Sequence, residues 1–137
     1  PDALGSGTPN VPGIAGLAAG IAFVRSVGPA NILAHERRLV REFARALEGE
    51  SRITCFAHPA QTGVLSLTVR GAAVENIAET LARQGVAVRA GLHCAPLAHR
   101  TAGTEETGTV RFSLSFYSTA HQVEHAAALV LQTVKNL

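Results

Sequence analysis

The sequence predicts an α+β fold: a small sandwich in which helices pack on a mainly antiparallel sheet. Three observations carry this. Two segments, 64–69 and 109–116, alternate apolar and polar residues as half-buried strands do. Three others, 30–48, 73–84 and 119–134, repeat apolar residues at spacings of three and four, as amphipathic helices do. The resulting order is helix, helix, strand, strand, helix, strand, loop, strand, helix, with short links throughout, which suits helices layered over one sheet face.

The elements follow in order. Residues 1–10, "PDALGSGTPN", are rich in Gly, Pro, Ser and Asn and are expected to be loop. A helix is expected over about 12–25, with Pro12 in its first turn and Gly13, Gly16 and Gly20 permitting close packing. "VGP" at 27–29 breaks the chain before the second helix, whose stripe is Ile32, Leu33, Leu39, Val40, Phe43 and Leu47, and which stops at Gly49. "ITCF" (53–56) is a short strand. "VLSLTV" (64–69) puts Leu65, Leu67 and Val69 on one face and Ser66 and Thr68 on the other. Val74, Ile77, Ala78 and Leu81 mark a helix capped by Gly85, and "VAVRA" (86–90) is a strand. Residues 91–108 are expected to be mostly loop, with one helical turn near Pro96. In "TVRFSLSF" (109–116) Val110, Phe112, Leu114 and Phe116 face the core and Arg111, Ser113 and Ser115 face away. Thr119 with Gln122 forms a capping box for a last helix buried through Val123, Ala127, Val130 and Val134.

At 137 residues, 47% hydrophobic and 16% charged, the chain suits a single folded domain with one apolar core. A net charge of +2 gives no reason to expect nucleic acid. The longest apolar run, Val11 to Val24, is too short for a bilayer and carries a Pro and three glycines, so a packed helix is expected and no membrane partner. Two cysteines make no disulfide framework, and with no signal-peptide pattern the expected compartment is the cytoplasm. Residue 1 is Pro, and the chain is expected to be an internal or C-terminal piece of something longer.

Chemistry concentrates in "RAGLHCAPLAHR" (89–100). Cys94 follows His93 in a loop, with Arg89, His99 and Arg100 close in sequence. Cationic neighbours favour thiolate, the reactive form. The local residues leave it open whether Cys94 is a nucleophile or a small buried hydrophobe; a zinc site is disfavoured, because no C-x-x-C is present. Cys55, in "ITCFA", has no such neighbourhood and is expected to fill the core margin. "HQVEH" (121–125) matches a zinc-protease string, but no Asp or Glu follows Glu124, and a solvated helix face accounts for it better. No metal is therefore expected. Arg111 is either a solvent-facing strand residue or a carboxylate anchor. Arg37, Arg41 and Arg45, spaced by four beside Arg38, form either a solvated face or a docking stripe for an acidic partner. "GSGTPN" (5–10) offers a weak anion cradle.

Together "SGTPNVPGIAGLAAGIAFV", "VAVRAGLHCAPLAHRTAGT" and "GTVRFSLSFYST" resemble the C-terminal part of class V aminotransferases, and among them the cysteine desulfurases and selenocysteine lyases. The resemblance spans essentially the whole chain. It implies the small C-terminal domain of a fold-type I enzyme dependent on pyridoxal 5′-phosphate (PLP), with the linker helix leading into it. Residues 1–137 would form that domain, and the PLP-binding large domain would lie elsewhere. The resemblance makes Cys94 the nucleophile that takes sulfur from L-cysteine as a persulfide, leaving alanine. It makes Arg111 the anchor of the substrate carboxylate, places Arg89 and His93 near the substrate, and puts Gly7 and Thr8 at the cofactor phosphate of the partner subunit in a homodimer. A sulfur-acceptor protein is an implied partner. Gly5 departs from the family, which often has Glu there. Lys135, the only lysine, matches no cofactor motif, so this chain alone is expected neither to hold PLP covalently nor to turn over cysteine. Two alternatives stand beside this reading: another class V enzyme, such as an aminotransferase or a selenocysteine lyase, and a stand-alone, non-catalytic α+β binding module.

Overall fold

A computed structural model describes residues 7–59 and 61–137. The chain divides into two compact units, residues 1–32 and 33–137.

The first unit is built on helix α1 (Val11–Val27). Asn10 caps it, its side chain accepting the Gly13 N–H at 3.1 Å, and Gly28, at φ 87°, closes it. Among the described residues α1 has no buried residue, and Val11, Ile14, Leu17, Ile21 and Val24 are all exposed. Alanines and glycines fill the spaces between these residues, so apolar surface runs round most of the helix with no polar side to define an inward face. Among the described residues, no single helix is long and apolar enough to cross a membrane.

In the second unit, the later part of α2 (Pro29–Leu47) is followed by β1 (Ile53–Phe56), β2 (Val64–Val69), α3 (Val74–Arg83), β3 (Arg89–Gly91), α4 (Pro96–Ala102), β4 (Thr109–Ser113) and α5 (Ala120–Lys135). The sheet order is β1-β2-β4-β3 and every pairing is antiparallel. Alternation sends Leu65, Leu67, Val69, Val110 and Phe112 to one face, where they meet Leu39, Val40, Phe43 and Leu47 of α2, Val74, Ile77 and Leu81 of α3, and Val123, Ala127, Val130 and Val134 of α5. Phe43 meets Phe112 edge to face at 4.8 Å. The capping box of α5 is formed: the Gln122 N–H donates to Thr119 Oγ1 at 3.2 Å, and the Thr119 N–H donates to Gln122 Oε1 at 3.0 Å.

Three boundaries differ from expectation. The strand expected at 86–90 is confined to Arg89–Gly91, because the Val86 N–H closes α3 by donating to Leu81 O. The strand expected to reach 116 ends at Ser113. Beyond it the serines bind their own backbone: Ser118 Oγ accepts the Ser115 N–H and Ser115 Oγ the Tyr117 N–H. The single turn expected near Pro96 is a helix of seven residues, closed by Gly103 at φ 69°.

Glycines tie the β3–β4 end together. A Cβ on Gly108 (φ 65°) would lie 2.8 Å from Gly91 Cα, backbone against backbone. Gly108→Ala is therefore expected to destabilise the fold by about 2 kcal/mol or more, since the left-handed conformation alone costs an L-residue roughly 1–2 kcal/mol. Urea unfolding of the variant against the parent measures it.

Candidate active site

The polar face of the sheet carries the site. In β4, Arg111 stands between Ser66 of β2 and Arg89 of β3, its register partners on either side. Two arginines directly opposed on one sheet face repel each other. Among the described residues neither has a carboxylate within ion-pair distance. Arg111 Nε is buried with no acceptor, a donor left open in the half-buried part of the face. A guanidinium pair with an unused buried donor is suited to an anion, and a planar carboxylate fits the fork.

Cys94 lies five residues beyond Arg89, in the turn between β3 and α4. His93 and Cys94 have φ of 53° and 59°, consecutive non-glycine residues in the left-handed region. Each such residue costs on the order of 1–2 kcal/mol, and strained backbone of this kind collects at functional turns. The turn leaves Cys94 exposed.

His93 anchors the turn. Its Nε2 lies 3.1 Å from the Thr109 carbonyl and 3.0 Å from Thr109 Oγ1. A carbonyl only accepts, so Nε2 carries the proton and Nδ1 is the bare nitrogen, buried and without a partner. Burial, then the Arg111 charge, then His99 hold the His93 pKa below the ordinary imidazole value, against the opposing pull of the Thr109 carbonyl. The unfolded chain thus binds the extra proton first as pH falls below about 6.5, and His93 favours the folded state less on the acid side. His99 is buried against it, rings 5.5 Å apart, with its Nδ1 2.8 Å from Thr104 Oγ1. Thr109, Thr104 and the packing of His99 escaped the sequence reading. The one available signal was register, which sets Thr109 opposite Gly91 at the foot of the cysteine turn.

The cationic surroundings inferred for Cys94 need correction. Arg100 is committed to Glu105, with Nε–Oε2 at 3.2 Å and Nη2–Oε1 at 3.1 Å, and His99 is turned inward to Thr104. Exposure and the strained turn distinguish Cys94 instead. Cys55 differs in both respects: it is half-buried at the core margin, and burial, with Glu48 adding to it, pushes its thiol up to about 11. A limiting dose of iodoacetamide at neutral pH is expected to label Cys94 at least about tenfold faster than Cys55, read by peptide mapping. Preferential labelling of Cys55 would contradict this.

Gly7 and Thr8 are exposed in the first unit. Gly7 has φ 104° and no heavy atom within 4 Å of a built Cβ. His121, Glu124 and His125 are exposed on α5, and no group of three metal-capable side chains occurs among the described residues. Lys135 is exposed at the end of α5 and has no place in this face, so the residues present do not fit covalent attachment of PLP.

Comparison with known proteins gives the family. The aminotransferase class V family matches residues 1–126. A probable cysteine desulfurase of Vibrio cholerae is 34% identical over 134 residues, covering 98% of this chain and 33% of that protein. A cysteine desulfurase of Synechococcus elongatus is 36% identical over 126 residues, 91% of this chain and 20% of that one. Among solved structures, the apo cysteine desulfurase of Thermococcus onnurineus superposes with a TM-score of 0.86 at 31% identity, over all of this chain and 34% of its own. An Escherichia coli cysteine desulfurase in an S-sulfonic acid form gives 0.85 at 28% identity, over 98% of this chain and 33% of its own. The chain thus spans about a third of the length of most of these relatives. Its α+β architecture is one found within cysteine desulfurases, which are fold-type I enzymes, and the wider family is generally PLP-dependent. By sequence match and by fold, the chain belongs to the class V aminotransferase family.

Proposed function

We propose that this chain is the C-terminal small domain, with its linker helix, of a cytoplasmic, homodimeric, PLP-dependent cysteine desulfurase. The observation that carries the reading is the joint placement of an exposed thiol on a strained turn and an unpaired arginine pair on the adjoining strands. The uncovered apolar helix α1 supports a larger whole, since such a surface is ordinarily buried.

In this reading Arg111, flanked by Arg89, binds the carboxylate of L-cysteine and sets the substrate's direction. The Cys94 thiolate bonds to the substrate sulfur. The carbon–sulfur bond breaks, and its electron pair stays with the substrate carbon, which takes a proton and leaves as alanine. Cys94 is left as a persulfide, ready for a sulfur-acceptor protein. His93, neutral and pinned by Thr109, holds the turn in place. PLP, held by the large domain, supplies the electron sink that makes the carbon–sulfur bond labile. Gly7 and Thr8 offer backbone and hydroxyl groups to the cofactor phosphate of the partner subunit. The chain alone, lacking a lysine in the site, is inactive.

The test uses the complete protein, with this chain joined to its PLP-binding domain. Incubated with L-cysteine, it should release alanine and gain one sulfur atom on Cys94, read by peptide mass mapping. Alanine formation with no sulfur on Cys94, or no turnover of L-cysteine, would overturn the assignment.

A further inference from the structure

The arginines of the second unit sort by what they touch. Arg38, Arg52, Arg83 and Arg100 are in ion pairs with Glu42, Glu50, Glu79 and Glu105. The guanidinium of Arg70 donates to the Ser51 carbonyl at 3.0 Å. Arg89 and Arg111 belong to the candidate active site. Arg37 donates to a backbone carbonyl, which leaves Arg41 and Arg45. Both are exposed on α2, and neither has a carboxylate within ion-pair distance among the described residues. They line one cleft, together with Glu48 and His58, between α2 and residues 57–59 and 61.

Hydrogen bonds brace the cleft. Arg37 Nε donates to the Gln61 carbonyl at 2.9 Å and so ties the far wall to α2. The Gln61 side chain accepts the His58 N–H at 2.6 Å and donates to the Val64 carbonyl, bracing that wall from within. Val40, Ala44, Ala57 and Pro59 give the cleft an apolar lining between the two charges and the wall. Like charges one helical turn apart repel, and Glu48 in the same lining forms no ion pair with either, so both guanidiniums stay open to a bound anion.

We infer that this cleft is a docking groove for an acidic, extended segment of a partner protein. Arg41 and Arg45 are about 6 Å apart along the helix axis, from a rise of about 1.5 Å per residue. In an extended peptide, alternate side chains point the same way and lie about 6.6 Å apart. A Glu-x-Glu segment thus presents two carboxylates in step with the two guanidiniums. The apolar lining takes the methylene groups of glutamate side chains. Nucleic acid fits less well: no Phe, Tyr or Trp lines the cleft for base stacking, and the chain's net charge is only +2. This site is separate from the cysteine face, and the inference does not rest on desulfurase activity.

The test is a titration of the protein with a fluorescent peptide of alternating Glu and Ser, followed by anisotropy and by backbone amide NMR shifts. Saturable binding weakened by added salt is expected, with the shifts centred on Arg41, Arg45 and Ala57. R41E/R45E should weaken it by about tenfold or more, and R41Q/R45Q by several-fold. R38E/R83E makes the same change in net charge outside the cleft and should leave affinity within about twofold. Four results would each overturn the inference: no saturable binding, equal loss in the two reversal variants, shifts centred on Arg89 and Arg111, or tighter binding of oligothymidylate than of the peptide. Loss of desulfurase turnover with intact peptide binding would sink only the reading of the active site.

Discussion

Replacing Cys94 by Ala in the complete enzyme is expected to abolish sulfur release from L-cysteine, by roughly three orders of magnitude or more, while substrate binding survives. The size follows from the role: removing a nucleophile removes the bond-forming step itself, whereas removing a contact only weakens a step that still occurs. The survival of binding follows from the geometry. The proposed carboxylate anchor sits on β4 and β3, held by the ladder, and the thiol sits on the turn beyond it, so truncating the thiol leaves the arginine pair in register. Substrate affinity, read from the absorbance change of the bound cofactor, should stay within about threefold of the parent, and no persulfide should form elsewhere on the chain. Cys55 cannot substitute: it is half-buried, with its thiol pushed up to about 11, and is almost wholly protonated at neutral pH. Cys55→Ala should leave sulfur release within about twofold. A Cys94→Ala enzyme that retained a tenth or more of parental sulfur release would show that another group takes the sulfur.

The parts of this fold legible in the sequence are those where one side of an element is apolar and the other is not. α2, α3, α5 and β2 could be placed within a residue or two, because burial of residues such as Leu39, Phe43, Leu65 and Ile77 is a repeating demand on the chain. The segment 91–108 offers no such repeat. Its helix, α4, exposes Leu97 and buries His99, the reverse of what periodicity looks for, and is specified by Pro96 at its start and Gly103 at its end. The left-handed turn at His93 and Cys94 contains no Gly or Asn to announce it and is held by the distant Thr109. The role proposed for Cys94 therefore rests on family resemblance, while the means of holding its turn was not legible in the sequence. α1 is a different case: its apolar composition reads as packing, and among the described residues none of its side chains is buried.

Arg111→Ala is the second large effect expected, a fall of about two orders of magnitude in kcat/KM for L-cysteine. The apolar face of β4, with Val110 and Phe112 buried, fixes which way Arg111 points, and its pairing with Ser66 and Arg89 fixes its height on the sheet. Hydrogen bonds to a charged group are worth about 1.5–3 kcal/mol each, and a factor of ten corresponds to about 1.4 kcal/mol. Losing a two-pronged contact, with partial cover from Arg89, therefore gives about a hundredfold. Arg111→Lys should recover only part of the loss, because an ammonium keeps the charge and loses the fork. It should also leave Arg89 facing a like charge, so the repulsion across the strands persists without the geometry that a carboxylate uses. Arg89→Ala should cost less than Arg111→Ala, since Arg89 is exposed and on the edge strand, where water competes for its contacts. The signature that separates Arg111 from Cys94 is the step affected: Arg111→Ala should raise KM and also slow turnover of what binds, whereas Cys94→Ala should bind normally and stall before sulfur transfer. If kcat/KM of Arg111→Ala stayed within about threefold of the parent, the anchor would lie elsewhere, and the open Nε of Arg111 would need another explanation.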